Sequence, residues 1–169
     1  MVYNSVLDTV FSSENATEPV TATEAKAWMK VDLTDDDTLI TELIKTARKQ
    51  CEGFLNISLI TRTVTAYIKN SAGDLELPYG PVVSFTSLTD VNGDAITSDN
   101  YILRGGGFKY LVEPYEDYLI AVYTTGFTTL PTQYKTGILQ QVAHLYDNRG
   151  DTTISDMAKQ TLSPYRRVV

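Results

Sequence analysis

His144 is the one histidine in this 169-residue chain, so any nucleophilic triad or imidazole-based metal site would have to run through it. Asp147 follows three residues on, on the same face of a helix, where a carboxylate could orient the ring. No Ser or Cys is placed by sequence to complete such a set, and a histidine on a helix face more often makes packing or interface hydrogen bonds. Asp90-Val91-Asn92-Gly93-Asp94 opens like a calcium loop. Its glycine comes fourth rather than sixth, however, and Tyr101 stands where the bidentate Glu is needed. Asp35, Asp36 and Asp37 could be read as a metal cluster, but helix capping accounts for them without a ligand. Gly105-Gly106-Gly107-Phe108-Lys109 lacks the spacing and the Lys-Ser/Thr pair of a phosphate-binding loop. The stretch from Glu113 to Asp117 reads as a solvated acidic turn. The expectation is a protein with no catalytic residues, no metal and no cofactor.

Composition narrows the classes further. The balance of 14 Lys and Arg against 21 Asp and Glu gives a net charge of −7. That is the opposite of what wrapping nucleic-acid phosphates requires, although DNA could pass such a surface without sticking. Cys51 is the lone cysteine, which excludes a disulfide framework and a cysteine-based zinc site. The first eleven residues lack a basic n-region and carry Asp8, unlike a signal peptide. No apolar run approaches the roughly 20 residues of a membrane helix. A reducing, cytoplasmic setting without membrane contact is expected. The 11 tyrosines favour interaction surfaces weakly, since tyrosine suits surfaces that are half apolar and half wet.

Two helix-patterned blocks flank a β-patterned middle. Residues 1–20 show no sustained period and read as an N-terminal arm, with Ser12, Ser13, Glu14, Asn15 and Pro19 suggesting order only on contact with a neighbour. Thr23 looks like the N-cap of a short helix bearing Ala25, Trp28 and Met29, spanning about 23–30. A second helix at about 35–55 starts at Thr34 or Asp35. Its stripe of Ile40, Leu43, Ile44, Ala47, Cys51 and Phe54 recurs every three or four residues, and Gly53 weakens its last turn. Between about 60 and 127 the period drops to two, as at Val64, Ala66 and Ile68. Asn92-Gly93 predicts a type I′ hairpin, and Tyr101–Leu103 with Lys109–Val112 predicts another, turning at Gly105–Gly107. Pro131 opens a helix at about 132–148 with an apolar face of Ile138, Leu139, Val142, Ala143, Leu145 and Tyr146. A polar link, Asp151–Ser155, leads to a short helix around Asp156–Leu162, ended by Pro164. The fold class expected is α+β: a small helical bundle with an inserted antiparallel β layer, forming one domain over 21–150, and a C-terminal tail over 151–169.

In order along the chain, these stretches resemble a known family. Val20-Thr21-Ala22-Thr23-Glu24-Ala25-Lys26-Ala27-Trp28-Met29-Lys30-Val31-Asp32 is similar to the opening of head–tail connector proteins of tailed bacteriophages. Asp35 through Ile40, Ala47-Arg48 and Cys51 to Phe54 resemble their second helix. Ser58–Thr63 and Leu77–Leu88 resemble the β insertion of the longer members. Gln141–Gly150 and Leu162–Arg167 resemble the last helix and tail. The ordered series is the signal, and it covers about residues 20–167.

The resemblance implies a non-enzymatic virion structural protein at the head–tail interface, made in the host cytoplasm. It would join the portal protein to a neck, stopper or tail-completion protein, and surround the channel through which DNA passes without specific binding. It further implies a head-to-tail ring of roughly twelve copies in the virion, formed on the portal as template from subunits that are monomeric alone. Another phage neck or tail-completion protein is the rival of the same class, and a small enzyme built on His144 is the rival of another. Within the matching stretches, Tyr146, Arg149, Leu162, Pro164, Tyr165, Arg166 and Arg167 are the candidate portal or subunit interface. The tail is locally basic on an acidic chain, with Lys159, Arg166 and Arg167 following the last acidic residue. Leu162, Tyr165 and Val168 could anchor it on a partner. The alternative is that Tyr165 packs back on its own helices.

Overall fold

The computed structural model describes residues 5–12, 17–69, 74–112 and 117–167. Ser13, Glu14, Asn15, the Glu113-Pro114-Tyr115 turn and Val168 lie outside the described residues. The elements run β1 (Ser5–Ser12), α1 (Ala22–Met29), α2 (Asp37–Leu55), β2 (Arg62–Lys69), β3 (Leu75–Glu76), β4 (Val82–Thr89), β5 (Ile102–Arg104), β6 (Tyr110–Val112), β7 (Tyr118–Thr125), α3 (Thr132–Asp147) and α4 (Asp156–Leu162). The fold is α+β: β1 comes first in the chain, and β2–β7 lie between the helical pairs α1–α2 and α3–α4. The chain divides into two compact units, with breaks after residues 15, 59 and 128.

The first unit is all β. One antiparallel sheet has the order β1-β2-β7-β4, and a second has the order β3-β6-β5. β2 and β7 pair over eight residues, Arg62 opposite Thr125 through Lys69 opposite Tyr118. Alternation then sends Val64, Ala66 and Ile68 of β2 and Leu119, Ala121 and Tyr123 of β7 to one buried face. Leu75, Leu77, Val82, Leu88 and Leu111 complete that core. The Tyr123 phenol is buried within it and donates to the Pro78 carbonyl at 2.8 Å; burial pushes its pKa up.

Residues 5–12 depart from the expected arm. β1 is an edge strand, antiparallel to β2 from Ser5 opposite Lys69 to Ser12 opposite Thr63, with a bulge between Val6 and Asp8. The bulge interrupts strict alternation, which is why no period shows in the sequence. Side-chain contacts help hold the edge: the Arg62 guanidinium lies 4.0 Å from the Phe11 ring centroid, and Phe11 meets Tyr79 edge-on at 4.9 Å.

The Asn92-Gly93 turn also differs from expectation. Only Gly93 takes positive φ, at +88°. The Gly93 amide donates to the Asp90 carbonyl, and the Asp90 amide to the Asp94 carbonyl. The Asp90 carboxylate accepts from the amides of Asn92 and Asp94, each at 2.8 Å. A turn braced by its own aspartate and closed by one left-handed glycine does not need Asn92 at positive φ. The loop that begins like a calcium site is this turn.

The second unit is helical. The N-cap of α1 lies two residues before the expected one: Thr21 and Glu24 form a reciprocal capping box. Thr23 has Lys26 three residues on, so it cannot make the return bond. Lys30 and Asn56 end α1 and α2 in the left-handed conformation, and Gly53 stays inside α2. Ile40, Ile44, Ala47, Cys51 and Leu55 of α2 are buried, as are Ile138, Val142 and Leu145 of α3 and Ala158 and Leu162 of α4. Burial pushes the Cys51 thiol up to about 12.

Candidate functional site

The His144 ring has Nε2 2.8 Å from Asp151 Oδ2, and its Nδ1 lies 3.4 Å from the Asn148 amide nitrogen. The expected partner Asp147 is exposed, whereas Asp151 comes from the link after α3. The Asp151 carboxylate also accepts from the amide and hydroxyl of Thr153, each at 2.9 Å. These bonds hold it down near 2, the Thr153 amide first and His144 next. His144 therefore fastens the link to α3, its ring nitrogens facing Asp151 and Asn148. Among the described residues, no three His, Cys, Asp or Glu side chains gather where they could hold a metal ion. None of the described helices is long and apolar enough to cross a membrane.

The candidate interface residues separate into two places. Tyr146, near the end of α3, donates its phenol hydrogen to Asp36 Oδ2 at 2.5 Å, and the Arg149 guanidinium lies 5.8 Å from the Tyr146 ring centroid. The hydrogen bond to Asp36 raises the Tyr146 phenol pKa. Asp36 is the N-cap of α2 by position, yet its side chain makes no cap bond. Asp37 reaches Lys26 at 2.7 Å. Both aspartates expected only to cap the helix thus join it to neighbouring helices.

The tail residues cluster beside the far end of α2. Leu162 is fully buried against α3 at Gly137, so it is unavailable as a docking anchor and serves instead to seat α4. Tyr165 packs edge-on against Tyr134 of α3, with centroids 5.5 Å apart, and keeps 41% of its surface exposed. The packing alternative therefore holds for one edge of the ring while the other faces solvent. Arg166 lies over Phe54 at 5.1 Å, and the Arg167 amide donates to the Leu55 carbonyl at 2.9 Å. The Arg167 carbonyl in turn accepts from the Asn56 side chain at 2.9 Å. Pro164 sits exposed in a 3-10 turn over Ser163–Tyr165.

Two polar networks escape a reading by apolar periodicity. Gln141, fully buried on α3, accepts from the Ser155 amide and donates to the Thr153 carbonyl and to Gln50 of α2. Arg48, 2% exposed, donates to Glu18 at 2.8 Å and to Glu52 at 2.8 Å, while Glu52 accepts from the Leu59 amide at 2.7 Å. The readable signal for both is a long polar side chain interrupting an apolar face, Gln141 beside Val142 and Arg48 beside Ala47.

Comparison with known proteins bears on what this scaffold is. Residues 20–89 match the family described as phage gp6-like head-tail connector protein. A chain in a structure described as the virion of a native gene transfer agent (GTA) particle superposes with a TM-score of 0.74 at 16% identity, covering 99% of this chain and 97% of that one. A chain in the neck of an empty GTA particle, computed with C6 symmetry, gives 0.72 at 17%, covering 93% and 95%. Another, in the neck of a native GTA particle computed with C12 symmetry, gives 0.69 at 16%, covering 95% and 96%. At that identity the shared property is the fold. No curated protein matches the chain. The likeness to the phage gp6-like head-tail connector family thus runs over residues 20–89, somewhat under half of the chain.

Proposed function

We propose that this protein is a head–tail connector: a virion structural protein that seats on the portal vertex as a ring and links the DNA-filled capsid to the neck or tail. The family match over residues 20–89 carries the reading. The fold shared with chains from virion and neck particles, two of those necks computed with C6 and C12 symmetry, supports ring assembly at the head–tail interface. A cyclic ring needs one face of each copy to meet a different face of the next. The portal on one side and a stopper or tail-completion protein on the other are the partners this position requires. The role is non-enzymatic, and the net charge of −7 suits a channel past which DNA slides.

The test is direct. Purified protein mixed with purified portal sediments as a complex carrying a ring of connector copies, whereas mixing with tail-tube protein gives none. A mixture that forms no complex with portal overturns the assignment. The His144→Ala variant distinguishes the enzyme reading, since a connector lacking the imidazole still assembles on portal.

A further inference from the structure

The outward face of the β1-β2-β7-β4 sheet carries an apolar groove of about 230 Å³ that the described residues leave open. Leu7 of β1, Tyr67 of β2, Tyr118 and Ile120 of β7, and Val91 from the turn after β4 line it. Tyr67 stands directly opposite Ile120 in the ladder, so their side chains share this face. Leu7, Tyr67, Tyr118 and Val91 are all exposed. The volume falls below the roughly 300–1,000 Å³ of small-molecule sites and suits one or two protein side chains. The rim is acidic. Asp8 follows Leu7 and pairs with Tyr67 in register, Asp117 precedes Tyr118, and Asp90 and Asp94 bracket Val91. Lys69 also stands on this face, its ammonium 5.8 Å from the Tyr118 ring.

The complementary surface is on the same chain. Pro164, Tyr165 and Arg166 are exposed in sequence. Tyr165 is followed by Arg166, which lies over Phe54 and makes no salt bridge among the described residues. Arg167 and Lys159 add positive charge nearby in sequence. An aromatic, basic protrusion and an apolar, acid-rimmed groove on one chain are the two halves of a heterologous contact.

We infer that the groove of one copy receives the Pro164-Tyr165-Arg166 protrusion of a second copy, Tyr165 entering the apolar floor and Arg166 meeting the rim carboxylates. The inference rests on the proposed ring and names one of its seams. Each copy then offers one groove and one protrusion, which is the arrangement a closed ring needs.

A benzophenone photo-crosslinking side chain in place of Tyr165 tests it, using mixed light and isotopically heavy chains. The protein is irradiated both on portal and at high concentration alone. Light-to-heavy crosslinks to Tyr67, Tyr118 or Ile120 are expected. Arg166→Glu weakens association between copies by about tenfold, and Asp8→Lys in the partner copies restores it. Light-to-light crosslinks only, crosslinks to the portal alone, or unchanged association of Arg166→Glu and Tyr118→Asp would each overturn the seam. Rings on portal with crosslinks elsewhere remove the seam and leave the proposed function standing. Failure to bind portal removes the function, while the concentrated protein alone still reports on the seam.

Discussion

Gly137 and Leu162 approach so closely that a β-carbon added at 137 would lie 2.6 Å from Leu162 Cδ2. Glycine is required here by the neighbour, since position 137 sits within α3 and has no unusual φ. Gly137→Ala should therefore overpack the α3–α4 contact and destabilise the helical unit by about 1–3 kcal/mol, despite alanine's better helix propensity. Urea unfolding followed by circular dichroism reads this. An unchanged or raised midpoint means that Leu162 can shift aside.

The same contact alters how the tail should be tested. Removing residues 159–169 takes away Leu162, whose burial contributes about 1.5–3 kcal/mol, so a truncated chain loses packing as well as any docking surface. Tyr165→Ala and Arg166→Glu leave Leu162 in place. Both variants should keep a near-wild-type thermal midpoint while weakening ring assembly on portal. Equal assembly would assign the tail to packing alone.

Arg48 is the buried charge whose loss should cost most. Arg48→Ala leaves Glu18 and Glu52 with an uncompensated partner in a site where the arginine is 2% exposed, and a cost of about 3–5 kcal/mol is expected. Arg48→Lys should recover only part of it, because an ammonium cannot serve both carboxylates with a planar fork. A denaturation midpoint for Arg48→Ala within error of wild type would contradict the network's role.

Acid should loosen the helical unit through two carboxylates. Hydrogen bonding to Lys135, then to the Thr21 amide, lowers Glu24 from 4.5 to about 2; Asp151 falls from 3.8 to about 2. Both folded values lie below the unfolded ones. Their contribution is thus fully present above pH 4.5 and is lost as pH falls toward 2. Glu24→Gln and Asp151→Asn should each flatten the stability profile between those limits, by an amount that solvent screening keeps modest. A profile as steep as wild type in both variants would show that other groups set the acid limb.

Cys51 offers a probe of helical opening. Burial holds its thiol near 12 and out of solvent. Thiol reagents should label it only as the helical unit unfolds, so labelling should track denaturant concentration along the circular dichroism transition. Rapid labelling of native protein would mean that the unit opens locally.

The sequence reads well where periodicity is regular. The stripe from Ile40 to Phe54 and the alternation at Val64–Ile68 translate directly into α2 and β2, because one buried face imposes one period. β1 is invisible because a bulge at Leu7 breaks alternation and because its partner, β2, lies some fifty residues downstream. The candidate interface residues do not form one cluster: Tyr146 and Arg149 lie by Asp36, whereas Tyr165 and Arg166 lie by Tyr134 and Phe54, a division that pattern does not reveal. Depth is not legible either: nothing in the string separates the buried Leu162 from its exposed neighbours, as that depends on Gly137 in another helix. Apolar pattern likewise says nothing of where Asp36 finds Tyr146, or Asp151 finds His144.

The edge strand has a consequence for synthesis. β1 leaves the ribosome first, but Ser5 pairs with Lys69 and the sheet is not complete until Thr125 of β7 has emerged. The helices wait longer still, for Leu162 at the other extremity. The nascent chain therefore carries Val6, Leu7, Val10 and Phe11 unpaired until β2 has emerged through Lys69. Pairing between segments so far apart in sequence delays the appearance of an assembly-competent surface until both units have folded.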